Sequence, residues 1–337
     1  MAKPRSTVRD QQDTLKVLGV LKVATATQIL HLVRPHLTDN KVMRNALLSL
    51  TARGEVVSEG NTAGPSGRFG APDRTGEPSQ KLWSLTPAGL EAAGRLLERD
   101  PQEMGRRSRG VGRGGAPHAM GVNPTIVAFT QGGIGNITSW RTEVPHALTP
   151  SGENHVRADA VLRAKEAGLP LLMVEIDSST TPVQRVADKV AAYAACYRRR
   201  VHDPATPRTC EGCGAEEGTV PYWQTLYPDT GLTNWPPLAF VFTDAGPRAL
   251  AHRIQDLTDL TQTHMTAHTR SSQQDSDGYL DVAGKVPLVL TSLARLQQHG
   301  PNGPTWRRIA PERDGFEPLL AALANPRTDR AEAAARS

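Results

Sequence analysis

The chain has 337 residues, of which 38% are hydrophobic and 22% charged, with 30 Gly, 26 Pro and three Cys. That length suits two domains with long irregular connections, and no run of about 18 apolar residues is present to span a bilayer. The opening MAKPRSTVRDQQD lacks the apolar core of a secretory signal, and three cysteines are too few for a disulfide framework. A cytoplasmic protein is therefore expected.

Charge is unevenly divided. Residues 1–117 hold 18 Lys/Arg against 11 Asp/Glu, a net of +7, whereas the remainder holds 21 against 23. The positive field belongs to the N-terminal third and suggests a polyanion as its partner.

The first segment, Arg9 to Leu21, has leucines recurring at threes and reads as a helix. Thr25 caps a second helix through Leu32, closed by Pro35, and Thr38 caps a third that runs to Arg53 and stops at Gly54. In that third helix Val42, Ala46, Leu47 and Leu50 form an apolar stripe, with Lys41, Arg44, Asn45 and Ser49 on the other side. Short strands follow at Glu55–Val57 and Lys81–Leu85, separated by a Gly/Pro/Arg-rich loop at 60–80. Thr86-Pro87 then opens another helix, with Pro at the first turn where its missing N–H costs nothing. This order is that of a winged helix-turn-helix, which lays its third helix in the major groove of double-stranded DNA. Lys41, Arg44 and Asn45 are the expected DNA-facing residues of the helix. Arg68 and Arg74 are those of the wing. The plain alternative is that these charges solvate a helix face.

Residues 1–99 thus form one predicted domain. Residues 100–117 (DPQEMGRRSRGVGRGGAP) are poor in apolar side chains and read as a flexible basic linker. A second domain is expected over 118–300, with an irregular insertion at 196–236, and a C-terminal extension over 301–337 whose end, from about 325, is expected to be disordered.

Three strands are predicted in the second domain: Ile137–Val144, Val156–Arg163 and Leu169–Asp177. The last is an almost continuous apolar run ending in acids, as a buried central strand would be. Period two puts Glu175 and Asp177 on one face of it, and Asp159 lies on the preceding strand. Carboxylates in a packed sheet need partners, and Mg²⁺ or Mn²⁺ would supply one through hard oxygen ligands. Such a metal would activate water for phosphodiester cleavage. The alternative is that Glu175 and Asp177 sit at a strand end in water. A helix opened by Thr181-Pro182 follows directly, with Val183, Val186, Ala187, Val190 and Ala194 as its apolar stripe. Its polar side can aim Gln184 or Lys189 at the same centre. A strand Asp, a strand Glu-x-acid and a helix with Gln/Lys make the layout of a PD-(D/E)XK core, an α/β/α fold. Pro124 is expected to interrupt any helix through HAMGVN at 118–123, so His118 and Asn123 are not candidate catalytic groups.

The helix–strand module with its LTPAG turn, together with HAMGVN, TSWRTEVP at 138–145, RADAVL at 157–162 and VEIDSSTTPVQRVADKVAAY at 174–193, resembles the replication-relaxation family of actinobacterial plasmids and integrative elements. The resemblance covers roughly residues 10–300. It implies a DNA-processing or DNA-binding role in replication or transfer of a mobile element, within a replication or transfer complex. It also implies that Asp159 matches the lone strand Asp of the nuclease fold and Glu175 the first acid of its (D/E)-x-K. Asp177 then stands where the Lys normally does. Lys189 would replace that cation from the helix, and Glu143 would add an acid from the first strand.

All three cysteines fall between 196 and 213. Cys196, His202, Cys210 and Cys213 have the spacing C-x5-H-x7-C-x2-C, whose CxxC half suits structural Zn²⁺. Alternatively, Cys196 is a buried helix residue. The rest reads as scaffold: a strand at Leu238–Phe242, a helix at Pro247–Leu260, a strand at Val286–Leu290 and a helix at Thr291–Gln298. The polar stretch 262–278, with His264 and His268, is expected at the surface. Two functional readings follow. One is a metal-dependent endonuclease guided by a winged helix. The other is a non-catalytic initiator or regulator that uses the nuclease fold as a binding platform.

Overall fold

A computed structural model describes residues 6–62, 79–104, 116–203, 218–232, 234–265, 284–309 and 315–324. The protein is mixed α/β, with a three-stranded, a six-stranded and a two-stranded sheet. It divides into two compact units. The first holds Met1–Glu143, Asp159–Leu162 and Leu293–Pro301, and the second Val144–Ala158, Arg163–Ser292 and Asn302–Ser337.

In the first unit, α1 (Val8–Leu21) starts with a reciprocal cap in which the Thr7 hydroxyl accepts from Asp10 N and the Asp10 carboxylate accepts from Thr7 N. Burial alone would raise the Asp10 pKa, but the Thr7 hydrogen bonds and the Arg34 guanidinium hold it below the ordinary carboxylate value. Strand β1 (Val23–Thr25), not foreseen from sequence, leads into α2 (Ala26–Val33), which is capped reciprocally by Thr25 and Gln28. Helix α3 (Lys41–Ala52) begins later than expected: Asp39 Oδ1 accepts from Lys41 N at 2.9 Å, and Asn40, not Thr38, is the residue before the first turn. Its buried stripe is Met43, Ala46, Leu47 and Leu50, with Met43 in the place expected for Val42. Strands β2 (Val56–Asn61) and β3 (Lys81–Leu85) complete an antiparallel sheet of order β1-β3-β2, and α4 (Pro87–Leu97) follows with Thr86 as its cap.

Two further features of this unit differ from the sequence reading. Met104, in the stretch read as linker, is buried, and its carbonyl accepts from Lys22 Nζ. Helix α5 (Ala116–Gln131) runs through Pro124 without a break. The Thr125 hydroxyl donates to the Gly121 carbonyl at 2.9 Å, and buried Ile126 and Phe129 hold the helix in the core, so packing outweighs the proline penalty. Asn123 of the HAMGVN segment is buried there and donates to Val23 O at 2.8 Å and to Gln28 Oε1 at 3.0 Å, a structural role.

The six-stranded sheet has the order β11-β10-β9-β6-β5-β4. Strand β4 (Trp140–Ala147) starts three residues later than predicted because Asn136 caps a tight 3-10 turn over Ile137–Ser139. Strand β5 is His155–Ala164 and β6 is Leu169–Asp177. Helix α6 (Val183–Arg198) is followed by a hairpin of β7 (Arg200–His202) and β8 (Thr219–Pro221), and by α7 (Tyr222–Leu226). Strand β9 (Leu238–Phe242) pairs parallel with β6 and with β10 (Leu288–Ser292). Between β9 and β10 lies α8 (Pro247–Met265), five residues longer than predicted, so His264 is helical; His268 is outside the described residues. After α9 (Leu293–His299), β11 (Arg307–Arg308) adds antiparallel to β10, and α10 (Leu319–Leu323) follows. Part of the expected C-terminal extension is therefore sheet, and its tail beyond 324 lies outside the described residues.

Candidate functional site

In the first unit the apolar stripe of α3 points into a core with Leu18, Ile29 and Leu30, which turns the other side of the helix outward. Lys41 and Arg44 are exposed and Asn45 half-exposed on that side. Arg44 reaches one carboxylate, Asp39, at 4.0 Å with both side chains largely in solvent, a separation that holds a guanidinium weakly. Arg68 and Arg74 lie outside the described residues.

In the second unit, alternation along β6 carries Glu175 and Asp177 to the face covered by α6 and α8. Glu175 is 1% exposed. Lys189 Nζ donates to its Oε2, and Tyr193 OH donates to its Oε1 at 2.5 Å. Lys189 and Tyr193 are four apart on α6 and so share a face. Asp177, also buried, accepts from Ser179 N at 2.7 Å and from Arg253 Nη2 of α8 at 3.0 Å. Arg253 also donates to Ser179 O at 3.0 Å and Thr181 O at 2.5 Å, tying the turn after β6 to α8. Ser179 has φ 64°, a left-handed conformation these bonds hold in place.

Each buried acid thus has a cationic partner, Lys189 of α6 for Glu175 and Arg253 of α8 for Asp177. Among the described residues no group of three or more His, Cys, Asp or Glu side chains is placed to hold a metal ion. The donor set does not fit Mg²⁺ or Mn²⁺ in this arrangement: bringing one in would first require moving Lys189 or Arg253.

Beside Glu175 lies a buried polar group that the sequence reading missed. His146 is 1% exposed, its Nε2 is 2.7 Å from Tyr227 OH, and its ring is 6.4 Å from that of Tyr193. Burial pushes its pKa down to about 4, so it is neutral at pH 7. Tyr197, packed 5.9 Å from Tyr193, has its phenol pushed well above the ordinary range by burial. Lys189 to Tyr193 was the legible signal, an i,i+4 pair beneath a strand acid; Arg253 and His146 come from elements far away in sequence and left none.

Gln184 is exposed on α6 and donates to Asp188 Oδ1 at 3.1 Å. Glu143 and Asp159 belong to the first unit. Glu143 is exposed, with φ 54°, and lies within electrostatic reach of Lys22. Asp159 is half-buried between Ala158 and Ala160, which are buried on the alternate face of β5. Cys196 is a free cysteine, 0% exposed within α6, and burial raises its thiol to about 11. His202 is exposed on β7, and Cys210 and Cys213 lie outside the described residues. Among the described residues, no helix is long and apolar enough to cross a membrane.

A family model described as replication-relaxation matches residues 15–209, more than half of the chain. No curated protein and no solved structure matches it.

Proposed function

The chain belongs to the replication-relaxation family, and from that premise we propose that it is a DNA-binding protein serving replication or transfer of a mobile element. Its first unit acts as a winged helix-turn-helix that lays α3 in the major groove of duplex DNA. Its second unit is a PD-(D/E)XK-like core used as a binding platform rather than for cleavage. The observation that carries the first part is the outward face of α3, where Lys41, Arg44 and Asn45 stand opposite the buried Met43, Ala46, Leu47 and Leu50. The succession α1, β1, α2, α3, β2, β3, α4 around a three-stranded antiparallel sheet supports it, as does the net charge of +7 over residues 1–117.

The second part rests on the neutralised acids. Glu175 and Asp177 are closed by Lys189 with Tyr193 and by Arg253, which makes them internal ties of β6 to α6 and α8. A nuclease reading has one feature in its favour: Lys189 comes from the helix after the acidic strand, where it could replace the lysine of the nuclease motif.

Two assays separate these readings. In a gel shift, Lys41→Ala/Arg44→Ala should weaken duplex binding about tenfold or more and lower the salt slope by about one per cation. With Mg²⁺ or Mn²⁺ the wild type should leave supercoiled plasmid uncut. Nicking that vanishes in Asp159→Ala/Glu175→Ala would restore the nuclease reading and, with it, a role for the metal.

A further inference from the structure

A run of three arginines, Arg198, Arg199 and Arg200, lies at the junction of α6 and β7 in the second unit. This junction closes the 16-residue α6, five residues beyond Tyr193, the donor to Glu175. Arg198 and Arg200 are exposed, and Arg199 is half-exposed. None of the three forms an ion pair with a carboxylate among the described residues. Aromatic rings and neutral oxygens hold them instead. Arg198 lies over the Trp235 ring with its guanidinium carbon 5.4 Å from the centroid, and Arg199 over Tyr222 at 3.9 Å. Arg199 also donates to Ala147 O at 2.9 Å, and Arg200 to the Thr219 hydroxyl at 2.9 Å and carbonyl at 2.7 Å.

Among the described residues this arrangement leaves the guanidinium groups without a carboxylate partner while fixing their planes. A guanidinium stacked on a ring loses little freedom when it binds and still turns N–H donors outward. More positive charge is close by: burial lowers the pKa of His264, near the end of α8, and Arg198 and Lys285 lower it further. The known alternative for basic residues at a helix end is to balance its dipole. One turn of cations is enough for that. It explains neither an exposed Arg200 on the following strand nor Lys285 from beyond α8.

We propose that the Arg198–Arg200 surface is a second DNA contact, which binds the phosphodiester backbone independently of α3. Planar forked donors at this density fit phosphate oxygens bidentately and read no base, so the contact is sequence-independent. The inference rests on the DNA-binding reading of the chain but names a different surface. While α3 holds its duplex site, this patch holds a further stretch of backbone, either duplex or a separated strand.

The test is fluorescence anisotropy of the full chain with a labelled 40-mer, once as duplex and once as single strand, over a salt series. The proteins are wild type, Arg198→Ala/Arg200→Ala, Arg198→Lys/Arg200→Lys and Lys41→Ala/Arg44→Ala, with circular dichroism to confirm folding. The alanine pair should bind about tenfold more weakly and lose roughly 1.8 from the duplex log–log salt slope, or roughly 1.4 on a single strand. The lysine pair should keep the slope and lose less affinity. Whichever DNA form is affected is the form this surface holds. Unchanged affinity and slope on both forms, with Lys41→Ala/Arg44→Ala defective, would overturn this proposal and leave the α3 reading standing. The opposite pattern would overturn the α3 reading and keep this one.

Discussion

Replacing Lys189 with Met removes the ammonium from Glu175 but leaves the carboxylate buried at 1% exposure, with Tyr193 as its donor from α6. Breaking a buried ion pair on one side costs about 3–5 kcal/mol. Because 35% of the Lys189 side chain meets solvent, water can partly replace it, and we expect the lower end, about 3 kcal/mol. Glu175→Gln alone loses the charge but keeps hydrogen-bonding capacity, and should cost about 1–2 kcal/mol. The double variant should then be less destabilised than the sum of the two, with a coupling of about 1–2 kcal/mol. Urea unfolding of the four proteins gives the cycle directly. Adding 10 mM Mg²⁺ should leave all four midpoints unchanged. Additive effects, or Mg²⁺ stabilising Lys189→Met above the wild type, would refute the reasoning, since either would mean that Lys189 is not the structural partner of Glu175.

His146 sets a pH dependence: its folded pKa is about 4 against an ordinary 6.5, lowered by burial. Its contribution is complete above pH 6.5 and fades towards pH 4, because between these values the unfolded chain takes up a proton that the folded chain does not. That is a loss of about 2 kcal/mol between pH 7 and pH 5, read from urea midpoints and flattened in His146→Gln. Gly89→Ala should destabilise the first unit by about 3 kcal/mol or prevent folding, because a Cβ there would meet the Glu55 carbonyl oxygen at 1.9 Å; a thermal melt equal to wild type would contradict this. Cys196, buried with its thiol raised to about 11, should resist thiol reagents in the native protein and react only after unfolding. Zinc retained at one per chain after purification, and lost in Cys196→Ser, would instead make it a metal ligand.

What could be read from the sequence were the locally encoded elements. Thr25 with Gln28, and Thr86 with Pro87, carry their caps within four residues, and β6 declares its central place by an unbroken apolar run. The LTPAG turn gains its reason only from the fold: Gly89 has no room for a side chain because Glu55, 34 residues earlier, presses its carbonyl there. Helix α5 defied its proline because the deciding contacts are tertiary. The acids at 175 and 177 were legible as a pair on one face, but the closing of each onto its own cation was not. Spacing alone offers Lys189 as an aid to metal chemistry, whereas it closes on Glu175 itself, and Arg253 comes from a helix 76 residues beyond Asp177. Spacing reveals which face a residue occupies and leaves open what packs against it.

The claim that DNA is held through α3 without metal is tested most directly by anisotropy titration of duplex DNA with wild type and Lys41→Ala/Arg44→Ala, each in EDTA and in Mg²⁺. The account predicts equal wild-type affinity in the two buffers and a loss of about tenfold or more in the variant. Binding that needs the divalent ion, or that ignores both substitutions, would contradict it.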